Sequence, residues 1–156
     1  MKNPAPAGRR RVLPLLLALL VLAPLSSRAS LGGTSDTVQA DQASMRATRR
    51  VANRTGYAVH EMVLASGTVV REFASPSGVV FGVAWQGPVK PDLSQLLGVH
   101  FDRLAAAGQR PHGGHRALRV QEPDLVIESG GRMRAFSGRA YLPDQLPAGV
   151  TAGEIQ

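Results

Sequence analysis

The chain has 156 residues, no cysteine, and a formal charge of +7 from eighteen basic and eleven acidic residues. Without cysteine there is no disulfide framework, no thiolate metal site and no lipid-modified cysteine of the bacterial lipoprotein kind. Five of the basic residues (Lys2, Arg9, Arg10, Arg11 and Arg28) fall in the first 29 positions, while all eleven acids come later. The rest of the chain is therefore close to neutral. It has one lysine and scattered arginines in place of the sustained basic stripe that nucleic-acid binding requires, so nucleic acid is not expected as a partner.

The amino-terminal segment reads as a secretory signal peptide. A basic start leads into the apolar run Val12–Leu25, which exits through Ser27-Arg28-Ala29, small residues at both positions a signal peptidase inspects. The run is shorter than the roughly 20 apolar residues of a membrane-spanning helix, and Pro14 and Pro24 interrupt it. Cleavage after Ala29 and a periplasmic or secreted location are expected, with no membrane span in the mature chain. The general secretory route fits better than the twin-arginine route.

Residues 30–56 are polar and poor in large apolar groups. Ser35 is placed to cap a short helix ending at Met45, and Arg46–Val51 offers only a possible edge strand. The body of the fold is expected over residues 57–141, which contain every aromatic residue. Tyr57–Leu64 is a strand ending at the Ser66-Gly67 turn, and Thr68–Ala74 is the next. Ser75-Pro76-Ser77-Gly78 suits a type I turn. Val79–Trp85 alternates Val79, Phe81, Val83 and Trp85 against smaller residues, the pattern of a central strand with one heavily apolar face.

Asp92 is a good N-cap, and Gln95 has capping-box spacing. Leu93, Leu96, Leu97, Phe101 and Leu104 form one stripe at helical period, so a single helix is expected from this cap to Ala107. A glycine-rich loop follows over residues 109–115. Leu125–Ser129 and Arg132–Tyr141 then form a hairpin around the turn Gly130-Gly131. Residues 142–156 read as a packed tail. The expected architecture is α+β: an antiparallel sheet of about five strands, meander plus hairpin, with one main amphipathic helix on one face.

No catalytic constellation is complete. His60-Glu61 opens like a metalloprotease motif, but position 64 is leucine and the segment is a strand. None of Ser66, Ser77, Ser129 or Ser137 has a nucleophile-elbow context. No phosphate loop or dinucleotide fingerprint is present, and no cofactor is expected. His112 and His115, two imidazoles in a glycine loop, can both reach one transition metal, with Glu122 and Asp124 as possible oxygen ligands. No third ligand is set by spacing. For binding, Arg46, Arg49, Arg50 and Arg54 are spaced along one short segment. Arg132, Arg134 and Arg139 follow the glycine turn, and strand alternation places Arg132 and Arg134 on one face, able to meet a carboxylate or phosphate. Trp85 fits either the core or the rim of a groove.

Several blocks together resemble a known family. They include Ser66-Gly67-Thr68-Val69-Val70-Arg71-Glu72-Phe73, Ser75-Pro76-Ser77-Gly78-Val79-Val80-Phe81, Trp85-Gln86-Gly87-Pro88, Gly130-Gly131-Arg132-Met133-Arg134-Ala135-Phe136 and Gly138-Arg139-Ala140-Tyr141-Leu142-Pro143. The chain resembles an uncharacterised family of exported proteobacterial proteins, domain of unknown function 2844. The resemblance implies a Gram-negative source and the periplasm, and it carries no catalytic residues across. The function expected is a non-enzymatic binding or accessory domain of the cell envelope, partnered by another envelope protein or an anionic envelope component. The alternative is a metal-dependent or hydrolytic enzyme using His112 and His115.

Overall fold

The structure, a computed structural model, describes residues 31–109 and 117–156. The expected signal peptide and the His112 and His115 loop lie outside the described residues. The elements are α1 (Ser35–Met45), β1 (Thr48–Arg54), β2 (Tyr57–Val63), β3 (Val69–Ala74), β4 (Val80–Gly87), α2 (Leu93–Leu97), α3 (Phe101–Gln109), β5 (Leu118–Gln121), β6 (Val126–Arg132) and β7 (Ala135–Tyr141). The strands form one antiparallel sheet in the order β1-β2-β3-β4-β7-β6-β5. The α+β class holds, with seven strands in place of about five.

Both additional strands are edges: β1 falls on the possible edge strand at Arg46–Val51, and β5 is one the sequence reading lacked. β1 is exposed along nearly its whole length and pairs only with β2; β5 is four residues long and pairs only with β6. An edge strand can be held by backbone ladder bonds to a single neighbour without the alternating apolar pattern that marks an interior strand. Thr48-Arg49-Arg50 therefore gives little sign of strand structure in the sequence.

The sheet carries an apolar cluster on each face. The helix-covered face carries the larger core, in which Met62, Val70, Val83 and Trp85 meet Leu96, Leu97 and Leu104 from the helices and Val38 from α1. The opposite face carries a smaller cluster of Phe73, Phe81, Ala84, Val150 and Ile155. Fully burying a side chain of this size contributes about 1.5–3 kcal/mol. β4 is the middle strand and is buried from Val80 through Trp85. Phe81 does not share a face with Val83 and Trp85, contrary to strict alternation. Phe73 pairs with Gly82 and Ala74 with Val80, so Phe81 is the extra residue of a β-bulge and turns to the other face.

Three further details depart from the sequence reading. The N-cap of α1 is Thr34, not Ser35. The expected single helix breaks at Gly98, which has φ +51°, and a 3-10 turn over Gly98–His100 separates α2 from α3. The Asp92 cap is present, its Oδ1 accepting from Ser94 N at 2.9 Å and Gln95 N at 3.2 Å. The Gln95 side chain does not close a capping box and instead donates to Asp41 on α1 at 2.6 Å. The second hairpin turns at Met133-Arg134, with Arg134 at φ +64°, because Arg132 pairs with Ala135. Gly130 and Gly131 lie within β6, opposite Ser137 and Phe136.

Candidate functional site

The register of the sheet assembles a row of charged residues that are scattered in sequence. Reading across the strands, Arg50 is opposite Glu61, Glu61 opposite Arg71, and Arg71 opposite Ala84. Ala84 is opposite Arg139, Arg139 opposite Glu128, and Glu128 opposite Arg119. One side chain per strand thus reads Arg, Glu, Arg, Ala, Arg, Glu, Arg, mirrored about the central Ala84. Successive residues of a strand point to opposite faces, so register alone places all seven on the face away from the helices.

The row is linked by ion pairs. Arg71 Nε donates to Glu61 Oε2 at 2.9 Å and Arg139 Nε to Glu128 Oε2 at 2.8 Å; Arg119 also donates to Glu128. The hydrogen bond from Arg139, followed by the charges of Arg139 and Arg119, holds the Glu128 carboxyl below its ordinary range. Arg139 also lies over the Tyr141 ring, 6.0 Å from its centroid.

The two inner arginines reach beyond the row to the chain that crosses it. Arg139 Nη1 donates to Ala152 O at 2.9 Å and Arg71 Nη1 to Gln156 O at 3.3 Å. On the β1 side of this crossing lies a cleft of about 460 Å³. Arg50, Arg54 and Arg71 stand around it, and Tyr57, Val59 and Phe73 supply its apolar surface. Arg71 is paired with Glu61. The acid Glu154, also at the cleft, is occupied by Thr151 N at 2.7 Å and by the Tyr57 hydroxyl at 3.4 Å. Arg50 and Arg54 have no carboxylate within ion-pairing distance among the described residues. The cleft therefore presents two guanidinium groups that lack an ion-pair partner among the described residues, beside aromatic surface and an excess of arginines over the acids Glu61 and Glu154, an arrangement suited to a carboxylate or phosphate attached to an apolar body.

On the helix-covered face lies a second polar group, fully enclosed. Asp41 of α1 and Glu72 of β3 are each 1% exposed and face one another. Among the described residues, Asp41 Oδ2 and both Glu72 oxygens meet no N–H or hydroxyl donor. Two carboxylates form a hydrogen bond only when one of them holds a proton. Burial, then the neighbouring Asp41, pushes Glu72 up to about 8, and Asp41 is raised to about 6 by burial despite the Gln95 amide. His60, cross-strand from Glu72, is buried and its pKa is lowered by desolvation and by Arg49. At 1% exposure each, the two carboxyls belong to the interior of the fold.

A family model described as a protein of unknown function, DUF2844, matches residues 27–155. The chain belongs to this family. No curated protein and no solved structure matches it.

The family places no site, so the sequence-derived residues are located by the fold alone. Arg132 ends β6 and Arg134 sits in the turn, so they do not share a strand face. Arg139 lies in the charged row, away from both, with its guanidinium committed to Glu128 and Ala152. His112 and His115 are outside the described residues, and Glu122 and Asp124 both accept from Arg103 Nη1, at 3.0 and 2.8 Å. Among the described residues no group of three histidine or acidic side chains is placed to hold a metal. His60 and Glu61 point to opposite faces, His60 into the core and Glu61 into the row. Trp85 is core, 2% exposed. No described helix is long and apolar enough to cross a membrane.

Sequence reasoning singled out Arg50 and Arg54 but not their companion Arg71, and it passed over the Asp41–Glu72 pair. Glu72 did leave a signal, as an acid between Val70 and Ala74 on the apolar face of its strand.

Proposed function

We propose that this protein is an exported, non-enzymatic binding domain of the cell envelope, released from its signal peptide after Ala29. It engages an anionic group of another envelope protein or of an envelope component. The reading rests on the cleft between β1 and the crossing segment, where Arg50 and Arg54 have no ion-pair partner among the described residues and stand beside Tyr57 and Phe73. Charged arginines at an edge also discourage edge-to-edge pairing between copies of the chain. An anionic partner meets the same charges as attraction.

Site-specific photo-crosslinking in intact exporting cells tests this. A photo-reactive residue at Ala52, between the two arginines, should give a discrete adduct that disappears when Arg50→Glu and Arg54→Glu are combined. The same group at Met133, 89% exposed on the distant hairpin tip, should not give that adduct. The intact mass of the recovered protein should correspond to a chain beginning at Ser30. An adduct indifferent to both charge reversals, or a chain retained inside the cell with its first 29 residues, would overturn the reading.

A further inference from the structure

Residues 151–156 cross the charged row as a strap. The strap belongs to none of the seven strands; it is held by the two arginine contacts to Ala152 O and Gln156 O, by the Tyr57 hydroxyl on Glu154 and by one buried side chain. That side chain is Ile155, fully buried among Phe73, Phe81, Ala84 and Val150. It fits because residue 82 is glycine: a Cβ there would come within 2.9 Å of Ile155 Cδ1. Thr151 and Glu154 close a capping box that folds the strap on itself. Cavities of about 460 and 500 Å³ lie on either side, and both reach Gln156. The groove therefore extends beyond the segment that fills its middle.

We propose that this face is a peptide-binding groove for an extended segment of a partner protein carrying an aliphatic residue beside an acidic one, and that residues 151–156 occupy it as an intramolecular competitor. This deepens the function proposed above and rests on it, since it takes the same face to be the one that meets the partner. The chemistry of the occupant is read from the seat. Arg139 donates to a main-chain carbonyl, which any peptide offers, and Arg71 to the backbone oxygen of Gln156. The hole over Gly82 accepts one aliphatic side chain. The row holds four arginines, Arg50 among them, against two glutamates, and Arg54 stands beside it, so a basic peptide is repelled and an acidic one attracted. A tethered segment competes at an effective concentration in the millimolar range, so even a weakly bound strap masks the groove from a free peptide.

The test is fluorescence anisotropy with a labelled peptide of residues 150–156, titrated into the full chain and into its Ile155→Ala variant. The variant, whose strap no longer fills the hole, should bind the peptide about tenfold more tightly than the unaltered chain. Adding Arg71→Ala should remove most of that gain, and a peptide with aspartate in place of the isoleucine should not bind. If Ile155→Ala disturbs the fold, Glu154→Ala loosens the strap without opening the core and should increase affinity several-fold. Equal binding to the unaltered and loosened chains, no binding by a folded loosened chain, or formation of a strap-exchanged dimer would overturn the proposal. A cross-link at Ala52 that persists alongside any of these results would leave the binding face standing and remove only its assignment to peptides.

Discussion

Replacing Glu72 by glutamine should make this protein more stable at neutral and mildly alkaline pH, because the amide has no carboxyl to ionise in the interior. In the folded protein the Glu72 carboxyl keeps its proton until about pH 8, whereas the unfolded chain releases it near the ordinary value of 4.5. A group whose folded pKa is raised in this way favours the native state fully below the unfolded value. That contribution is lost progressively as pH rises from about 4.5 to about 8. Asp41 acts in the same direction over a narrower window, from 3.8 to about 6. Each unit of pH across such a window costs about 1.4 kcal/mol per proton.

The unaltered protein should therefore be most resistant to unfolding in mild acid and lose on the order of 10–20 °C of thermal stability by pH 8. In Glu72→Gln the amide N–H donates to Asp41 in place of the shared proton, with no carboxyl of its own to ionise. Its Tm at pH 8 should exceed that of the unaltered chain by about 10–20 °C, a difference that vanishes near pH 4. Thermal unfolding followed by circular dichroism from pH 4 to 9 reads this directly. A flat profile in the unaltered protein between pH 5 and 8 would show that the carboxyls are not sharing a proton.

Gly138→Ala should be among the most damaging single-methyl additions available in the sheet, costing about 3 kcal/mol or more. Gly138 is opposite Trp85, and a Cβ there would lie 2.2 Å from Trp85 Cζ2 and 2.5 Å from Glu128 O. Trp85 cannot retreat, because it is enclosed on the helix-covered side with Leu96 and Leu97 in the same core. The cost is steric and not conformational, since Gly138 is not among the positive-φ residues. Gly108→Ala is the informative contrast. Its Cβ would meet only Leu118 side-chain carbons at 3.6–3.8 Å, and alanine favours the helix by up to about 1 kcal/mol over glycine. Urea denaturation of the two variants should move the midpoint in opposite directions. Similar midpoints would mean that the Trp85 ring does not rest on residue 138.

The candidate cleft was only partly visible before the fold was known. Arg50 and Arg54 stood out as a cluster of like charge along one segment, and both line the cleft. Arg71 and Glu61 did not, because they are ten residues apart and become neighbours only when β2 and β3 pair in register. Sequence position groups Arg139 with Arg132 and Arg134, whereas its partners are Glu128 and Ala152, reached from the other strand of the hairpin and from the carboxy-terminal segment. Ile155, in a short segment rich in turn formers, gave no sign of filling a hole over Gly82 some seventy residues earlier.

What the sequence determined by itself was everything encoded in local pattern. The meander from Tyr57 to Trp85 follows from alternating apolar residues and glycine turns, and the start of the helical segment from the Asp92 cap. The α+β class and the family follow from the same stretches, in which each residue's preference agrees with its neighbours'. The tertiary structure alone decided what depends on residues distant in the chain. The edge strands β1 and β5 need no periodic pattern because one neighbour is enough to hold them. The position of the second turn depends on register, which the glycines of β6 leave unspecified. The charged row, the strap and the buried carboxyl pair arise when pairing and packing bring together side chains whose sequence separation conceals any relation between them.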